Sequence, residues 1–221
     1  SLEAKAGEIL GIYGLAGAGR TRFCRALYGM ERVTGGKVLI DGEPYTARSP
    51  AEALSKGVSF LTEERKRDGF IPGMTPLQNV VLSTLRRFRK AGVVDHAKAR
   101  KRAKTSLSHL RTRGPLDKPV TGLSGGNQQK VLFARIIEED SSLVLLDEPT
   151  KGVDIGAKGD IYDIMRGLAS EGRCVVVVSS EEEELLEVAD RIVVFRHGTC
   201  DAAAKDVRDV SINDLRQSAW D

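Results

Sequence analysis

Residues 14–21 constrain this chain more than any other stretch. They read Gly14-Leu15-Ala16-Gly17-Ala18-Gly19-Arg20-Thr21, directly after a short apolar run over residues 8–13 and at the start of a helical pattern over 19–28. Strand, tight glycine loop and helix in that order open a parallel α/β layer. Glycines let successive N–H groups turn inward around an anion, and a helix start adds its positive end, so the stretch reads as a phosphate-binding loop. Gly14, Gly17, Ala18 and Gly19 supply the cradle, and Thr21 a hydroxyl for Mg²⁺. A glycine-rich strand-to-helix turn with no ligand is the plainer alternative. Arg20 stands where the pattern has lysine. Its planar guanidinium spreads charge over a fork of donors and does not replace a compact ammonium at a close-packed site. Charge neutralisation survives this change and positioning of the transferred phosphoryl does not, so the loop is expected to be weak or non-hydrolytic.

Further short apolar runs alternate with helical patterns: strands over 58–61, 143–146, 174–178 and 191–195, and helices over 126–139, 157–168 and 181–188. Such runs fit a mostly parallel sheet covered on both sides. Residues 37–40 alternate and stop at Asp41-Gly42, a hairpin-type turn that adds a small antiparallel part. Over 76–110 the periodicity is helical with a break near Gly92, which marks residues 75–122 as a helical lobe set into a core of 1–74 and 123–221. A length of 221 residues suits one core with such a lobe. The 34 Lys and Arg nearly balance 31 Asp and Glu, which favours neither a nucleic-acid nor a membrane partner for the whole chain. No apolar stretch reaches the roughly 18 residues that cross a bilayer. The opening Ser1-Leu2-Glu3-Ala4-Lys5 lacks both Met and the apolar segment of a signal peptide, and suits a cytosolic domain cut from something longer. Cys24, Cys174 and Cys200 have no metal-ligand spacing and read as thiols in a reducing compartment.

Leu143-Val144-Leu145-Leu146-Asp147-Glu148 ends an apolar strand in two carboxylates, and Pro149 stops it. Side chains alternate along a strand, so Asp147 can join the Mg²⁺ shell while Glu148 reaches an attacking water. Two solvated carboxylates are the structural alternative. Leu123-Ser124-Gly125-Gly126-Asn127-Gln128-Gln129 sets a hydroxyl and two glycines before a helix. Capping explains Ser124 but not both glycines. A bare helix start is a second anion site, which points to nucleotide held by a partner.

The stretch 123–130, ending in Lys130, resembles the signature of ABC-transporter ATPases. Asp147-Glu148-Pro149-Thr150-Lys151-Gly152-Val153-Asp154-Ile155-Gly156-Ala157-Lys158 resembles the Walker B and D-loop region of the bacterial monosaccharide-importer ATPases, of ribose, galactose, arabinose and xylose type. That family fuses two such domains in one polypeptide, and Arg20 in the loop is the form its second, C-terminal domain takes. The resemblance implies ATP and Mg²⁺ as ligands. It also implies a head-to-tail pairing in which Ser124, Gly125, Gly126, Gln128 and Asp154 serve the nucleotide on the companion's loop. Glu63 stands in Thr62-Glu63-Glu64-Arg65-Lys66 where the family has Gln near metal and water, and Ser180 stands where it has the switch histidine. A carboxylate for an amide adds charge and removes a donor. Glu148, the family's catalytic carboxylate, is retained, and His96, His109 and His197 are given surface or lobe roles.

From residue 86 to 113 eleven Lys or Arg stand against the single acid Asp95. A solvated helix face is the plain reading, and with 5% aromatics a stacking surface for nucleic acid is not expected. The resemblance places Pro72, Met74 and Leu77 near permease subunits, with anionic lipid a further option for the basic flank. Three functions follow: the ATP-binding domain of a sugar importer on the cytoplasmic membrane face, served indirectly by a sugar-binding protein; a regulatory or structural nucleotide module without turnover; and a soluble ABC-type ATPase outside transport. The last calls for a coiled-coil insertion or nucleic-acid module, and neither is visible.

Overall fold

In the computed structural model, which describes residues 1–90, 92–201 and 203–220, the chain opens with β1 (Ile9–Tyr13), α1 (Arg20–Leu27), β2 (Val38–Ile40), β3 (Glu43–Tyr45), α2 (Pro50–Ser55) and β4 (Val58–Leu61). A π-helical turn, Arg65–Gly69, leads to α3 (Pro76–Val81), a 3₁₀ stretch Leu82–Phe88, β5 (Arg89–Lys90), β6 (Val93–Val94), α4 (His96–His109) and α5 (Gly125–Glu139). Then come β7 (Leu143–Asp147), α6 (Ile155–Ser170), β8 (Cys174–Ser179), α7 (Glu182–Val188), β9 (Arg191–Arg196), β10 (Thr199–Cys200), β11 (Lys205–Asp206) and α8 (Ile212–Trp220).

The chain gathers into two units: Ser1–Phe60 with Ser141–Glu148 and Met165–Asp221, and Leu61–Asp140 with Pro149–Ile164. The first is built on the sheet β10-β9-β1-β8-β7-β4, with β11 also on β9. β1, β7, β8 and β9 run parallel and are almost wholly buried, as their unbroken Val, Ile and Leu runs require. Ile12, Leu145, Val176, Val178 and Val193 share one core with Cys24 and Leu27 of α1 and with Tyr45 of β3. The β2–β3 hairpin closes through Asp41 and Gly42 at φ of 52° and 81°, the left-handed pair that matches strand twist. The same device, His197 and Gly198 at 48° and 78°, turns β9 into β10.

The second unit takes in the expected 75–122 lobe together with residues 61–74, 123–140 and 149–164. Packing gives the reason, since α3, α4 and α5 lie against one another. Arg135 of α5 donates to the carbonyls of Gly69 at 2.5 Å and Asn79 at 3.0 Å, and Lys130 pairs with Asp160 at 2.6 Å. Residues 76–110 differ from the expected helical run. Thr75 caps α3 in a reciprocal box with Gln78, and Pro76 starts it. The Thr84 hydroxyl then donates to the Val81 carbonyl at 3.3 Å, the path tightens to 3₁₀, and a two-residue-per-strand hairpin intervenes before α4. Among the described residues no helix is long and apolar enough to cross a membrane.

Candidate functional site

Parallel register decides where the first unit carries its chemistry. β8 lies between β1 and β7, with Tyr13 opposite Ser179 and Asp147 opposite Val178. The three strands therefore end abreast, and the loop 14–21, the Asp147-Glu148 pair and Ser180 all issue from that one sheet edge, where open α/β sheets bind ligands.

The loop is shaped by its glycines. A Cβ on Gly14 would lie 2.4 Å from the Phe195 carbonyl oxygen, so no side chain fits there. Gly17 and Gly19 take φ of 85° and 98°, open to glycine at little cost. Ala18 is fixed from both sides, its N–H on the Leu15 carbonyl at 3.0 Å and its carbonyl accepting from Gly198 at 3.1 Å. Thr21 Oγ1 donates to Asp147 Oδ1 at 3.2 Å, joining the two elements expected to share a metal. Arg20 is buried and lies beside a carboxylate. Its Nη1 lies 3.3 Å from Glu148 Oε1, with the two side chains 9% and 10% exposed. Glu148 itself has φ of 50°, a left-handed conformation uncommon outside glycine, fixed by its N–H on the Val178 carbonyl at 2.8 Å. Ser180 is exposed, whereas its neighbour Ser179 is buried, donating to Glu184 Oε2 and accepting from the Glu181 N–H. Behind the loop, the Tyr13 hydroxyl donates to Glu182 Oε1 at 2.8 Å, and Arg216 of α8 holds the same oxygen at 2.9 Å. Burial, then the Glu182 hydrogen bond and charge, push Tyr13 up to about 12.

The remaining expected residues belong to the second unit. Ser124 occupies the N-cap place of α5, but its hydroxyl does not cap. It accepts from Asn127 Nδ2 at 2.8 Å, so the capping role expected for it is corrected to a side chain held sideways. The helix begins at Gly125, one residue before the expected start. A Cβ on Gly125 would lie 2.6 Å from the Gly152 carbonyl oxygen, and one on Gly126 2.9 Å from Ala157 Cβ, so both glycines are demanded by packing as well as by any ligand. Gln128 is buried, and its Nε2 donates to the Leu123 carbonyl at 2.9 Å. Asp154 is exposed, its carbonyl accepting from Ala157 at 2.8 Å. Glu63 is paired with Lys151 Nζ.

Thr21 and Asp147 thus come together, as do Arg20 and Glu148, while Glu63 stands with the second unit's residues. Among the described residues no cluster of three His, Cys, Asp or Glu side chains forms a metal site. Sequence reasoning missed Arg65, which donates to the Lys151 carbonyl at 2.8 Å and the Gly152 carbonyl at 2.9 Å. No spacing rule signals a contact across 86 positions.

A family model described as ABC transporter matches residues 1–151. The chain is 45% identical over 199 residues to the ribose import ATP-binding protein RbsA 2 of Burkholderia pseudomallei (strain 1710b), covering 90% of this chain and 38% of that protein. It is 44% identical over 200 residues to the arabinose import ATP-binding protein AraG of Rhizobium meliloti (strain 1021), covering 90% and 39%. The chain therefore spans less than two fifths of the length of these relatives. Among solved structures it resembles the dimeric bacterial ABC transporter cassette MJ0796, with a TM-score of 0.79, 25% identity, and 94% and 89% of the two chains covered.

Proposed function

For a chain that belongs to the ABC transporter family, we propose the role of ATP-binding domain in a sugar importer, with a weak phosphate loop of its own and a signature segment that completes a companion's site. Two relatives bearing the words ribose import and arabinose import support the sugar class, and the dimeric cassette supports a paired arrangement. The observation that carries the reading is the sheet edge where the loop 14–21 meets Asp147 and Glu148 while Arg20 is held on Glu148.

The chemistry follows from what each side chain has available. Loop amides and the start of α1 bind phosphate oxygens. Thr21 and Asp147, hard oxygen donors already 3.2 Å apart, fit Mg²⁺. That ion, when bound with nucleotide, neutralises charge on the phosphate chain. Glu148 accepts a proton from attacking water only once its carboxylate is clear of Arg20, so turnover at this loop is slow. Ser180, in the place of a histidine, orients by a hydroxyl and carries no titrating proton. Ser124, Gly125, Gly126 and Asp154 face the companion's triphosphate, and Glu63 contributes through its pair with Lys151. The partners are a companion ABC domain, with residues 75–122 as the helical subdomain docking membrane permease subunits, and indirectly a sugar-binding protein. The place is the cytoplasmic face of the membrane. A nucleotide module without turnover is the second reading, favoured for the isolated loop by the Arg20–Glu148 pair.

The test is steady-state ATP hydrolysis by the full-length protein with Ser124→Arg, whose bulk and charge fill the start of α5. Loss of turnover by about 100-fold, within the range a misplaced transition-state contact costs, is expected. Turnover at the unsubstituted rate removes the shared-site reading.

A further inference from the structure

Three stretches far apart in sequence converge in the second unit, and a single side chain joins them. Arg65 opens the π-helical turn Arg65–Gly69, an uncommon backbone form that recurs at functional sites. Its Nη1 donates to the Lys151 carbonyl at 2.8 Å and its Nη2 to the Gly152 carbonyl at 2.9 Å. Gly152, at φ of 66°, turns its carbonyl oxygen toward Gly125, so near that a Cβ there would stand 2.6 Å away. The same Gly125 Cβ position lies 3.1 Å from Arg65 Nη2. Lys151 runs back the other way, its ammonium on the Glu63 carboxylate two residues before Arg65.

We propose that Arg65 is a positioning residue for the shared nucleotide site, a fork that fixes the turn 150–154 against the start of α5 and so sets where Ser124, Gly125 and Asp154 stand. The chemistry favours arginine alone. Two adjacent carbonyls need two donors in fixed geometry, which a guanidinium presents and an ammonium does not. Burial lowers the Arg65 pKa, but a guanidinium stays protonated in a protein, so the clamp holds at any working pH. The carbonyls that its guanidinium holds belong to the second unit, so its effect is expected on the companion's nucleotide.

The proposal rests on the shared-site reading, and the experiment separates the two. Full-length protein is compared with Arg65→Lys and Arg65→Ala for kcat and KM in ATP hydrolysis, and for amide hydrogen exchange, with Ser124→Arg beside them. Both Arg65 variants are expected to lose about 100-fold in kcat, the cost of a displacement near 1 Å. KM for ATP stays within threefold, and exchange rises at 124–128 and 151–157 with the rest of the chain unchanged. Exchange and kcat in Arg65→Lys indistinguishable from the parent protein overturn the clamp, whatever Arg65→Ala does to folding. Local exchange that rises while Ser124→Arg leaves turnover intact supports the clamp as structure and overturns its link to the shared site.

Discussion

Arg20 and Glu148 illustrate what one residue type changes. A buried ion pair gains little over well-packed neutral groups, but stripping one partner leaves a charge stranded at a cost of about 3–5 kcal/mol. The pair at 3.3 Å is therefore self-maintaining, and a phosphate must compete with Glu148 for the guanidinium. Arg20→Lys replaces a fork with a point charge on a flexible stem, which can leave Glu148 for a phosphate oxygen at lower cost. Equilibrium titration with ATP and Mg²⁺ is expected to show about tenfold tighter binding, or about 1.4 kcal/mol. An unchanged dissociation constant removes this account of the loop. The sequence displayed the arginine and its departure from the pattern. It did not display the partner, because Glu148 is brought into reach by β7 and by its own left-handed φ of 50°, both outcomes of tertiary structure.

Elements were most legible where one physical signal dominated. The buried parallel strands appeared as apolar runs, and the β2–β3 turn as an Asp-Gly pair. Residues 82–90 and 92–94 were not, since the helical period continues through residues that the Thr84 hydroxyl and the β5–β6 pairing draw out of the helix. α8 gave no expected helix either. It earns its place by packing on β9 and α7, with Arg216 on Glu182. Two tyrosines tie elements of the first unit together, Tyr13 joining β1 to α7 and Tyr45 joining β3 to the Leu27 carbonyl at 2.8 Å. Burial, aided by Glu182 and by Glu52 respectively, pushes each up to about 12. A phenol of raised pKa binds its proton more tightly when folded, so its contribution is complete below about pH 10, the unfolded value, and is lost as pH rises toward about 12. Denaturant unfolding between pH 9 and about 12 is expected to show a steep decline that Tyr13→Phe and Tyr45→Phe each make shallower. Equal slopes in all three proteins contradict the assignment.

Across the whole chain the division of chemistry between the two units matters more than the net charge of +3. Even the basic stretch 86–113 is partly structural: Arg102 pairs with Glu138 at 2.8 Å, and Arg87 donates to the carbonyls of Glu138 and Glu139. Such contacts were hidden from a sequence in which charges read only as a run. One unit carries the glycine loop 14–21, whose Arg20 is engaged by Glu148, and the other carries the glycine-start helix α5 with Arg65 beside it. If the companion domain holds the productive nucleotide, the two units answer differently to substitution. Arg20→Ala acts on this chain's loop and on Glu148, the carboxylate it leaves without its cation, and not on the companion's nucleotide, so turnover of the full-length protein is expected to stay within about threefold, a change under 1 kcal/mol. Nucleotide bound per polypeptide falls at the same time, because the loop has lost its only basic side chain. Hydrolysis rate and binding stoichiometry, measured on one preparation, separate the possibilities. A rate that falls together with stoichiometry shows that Arg20 takes part in turnover, and the phosphate loop of this chain is then an active site in its own right.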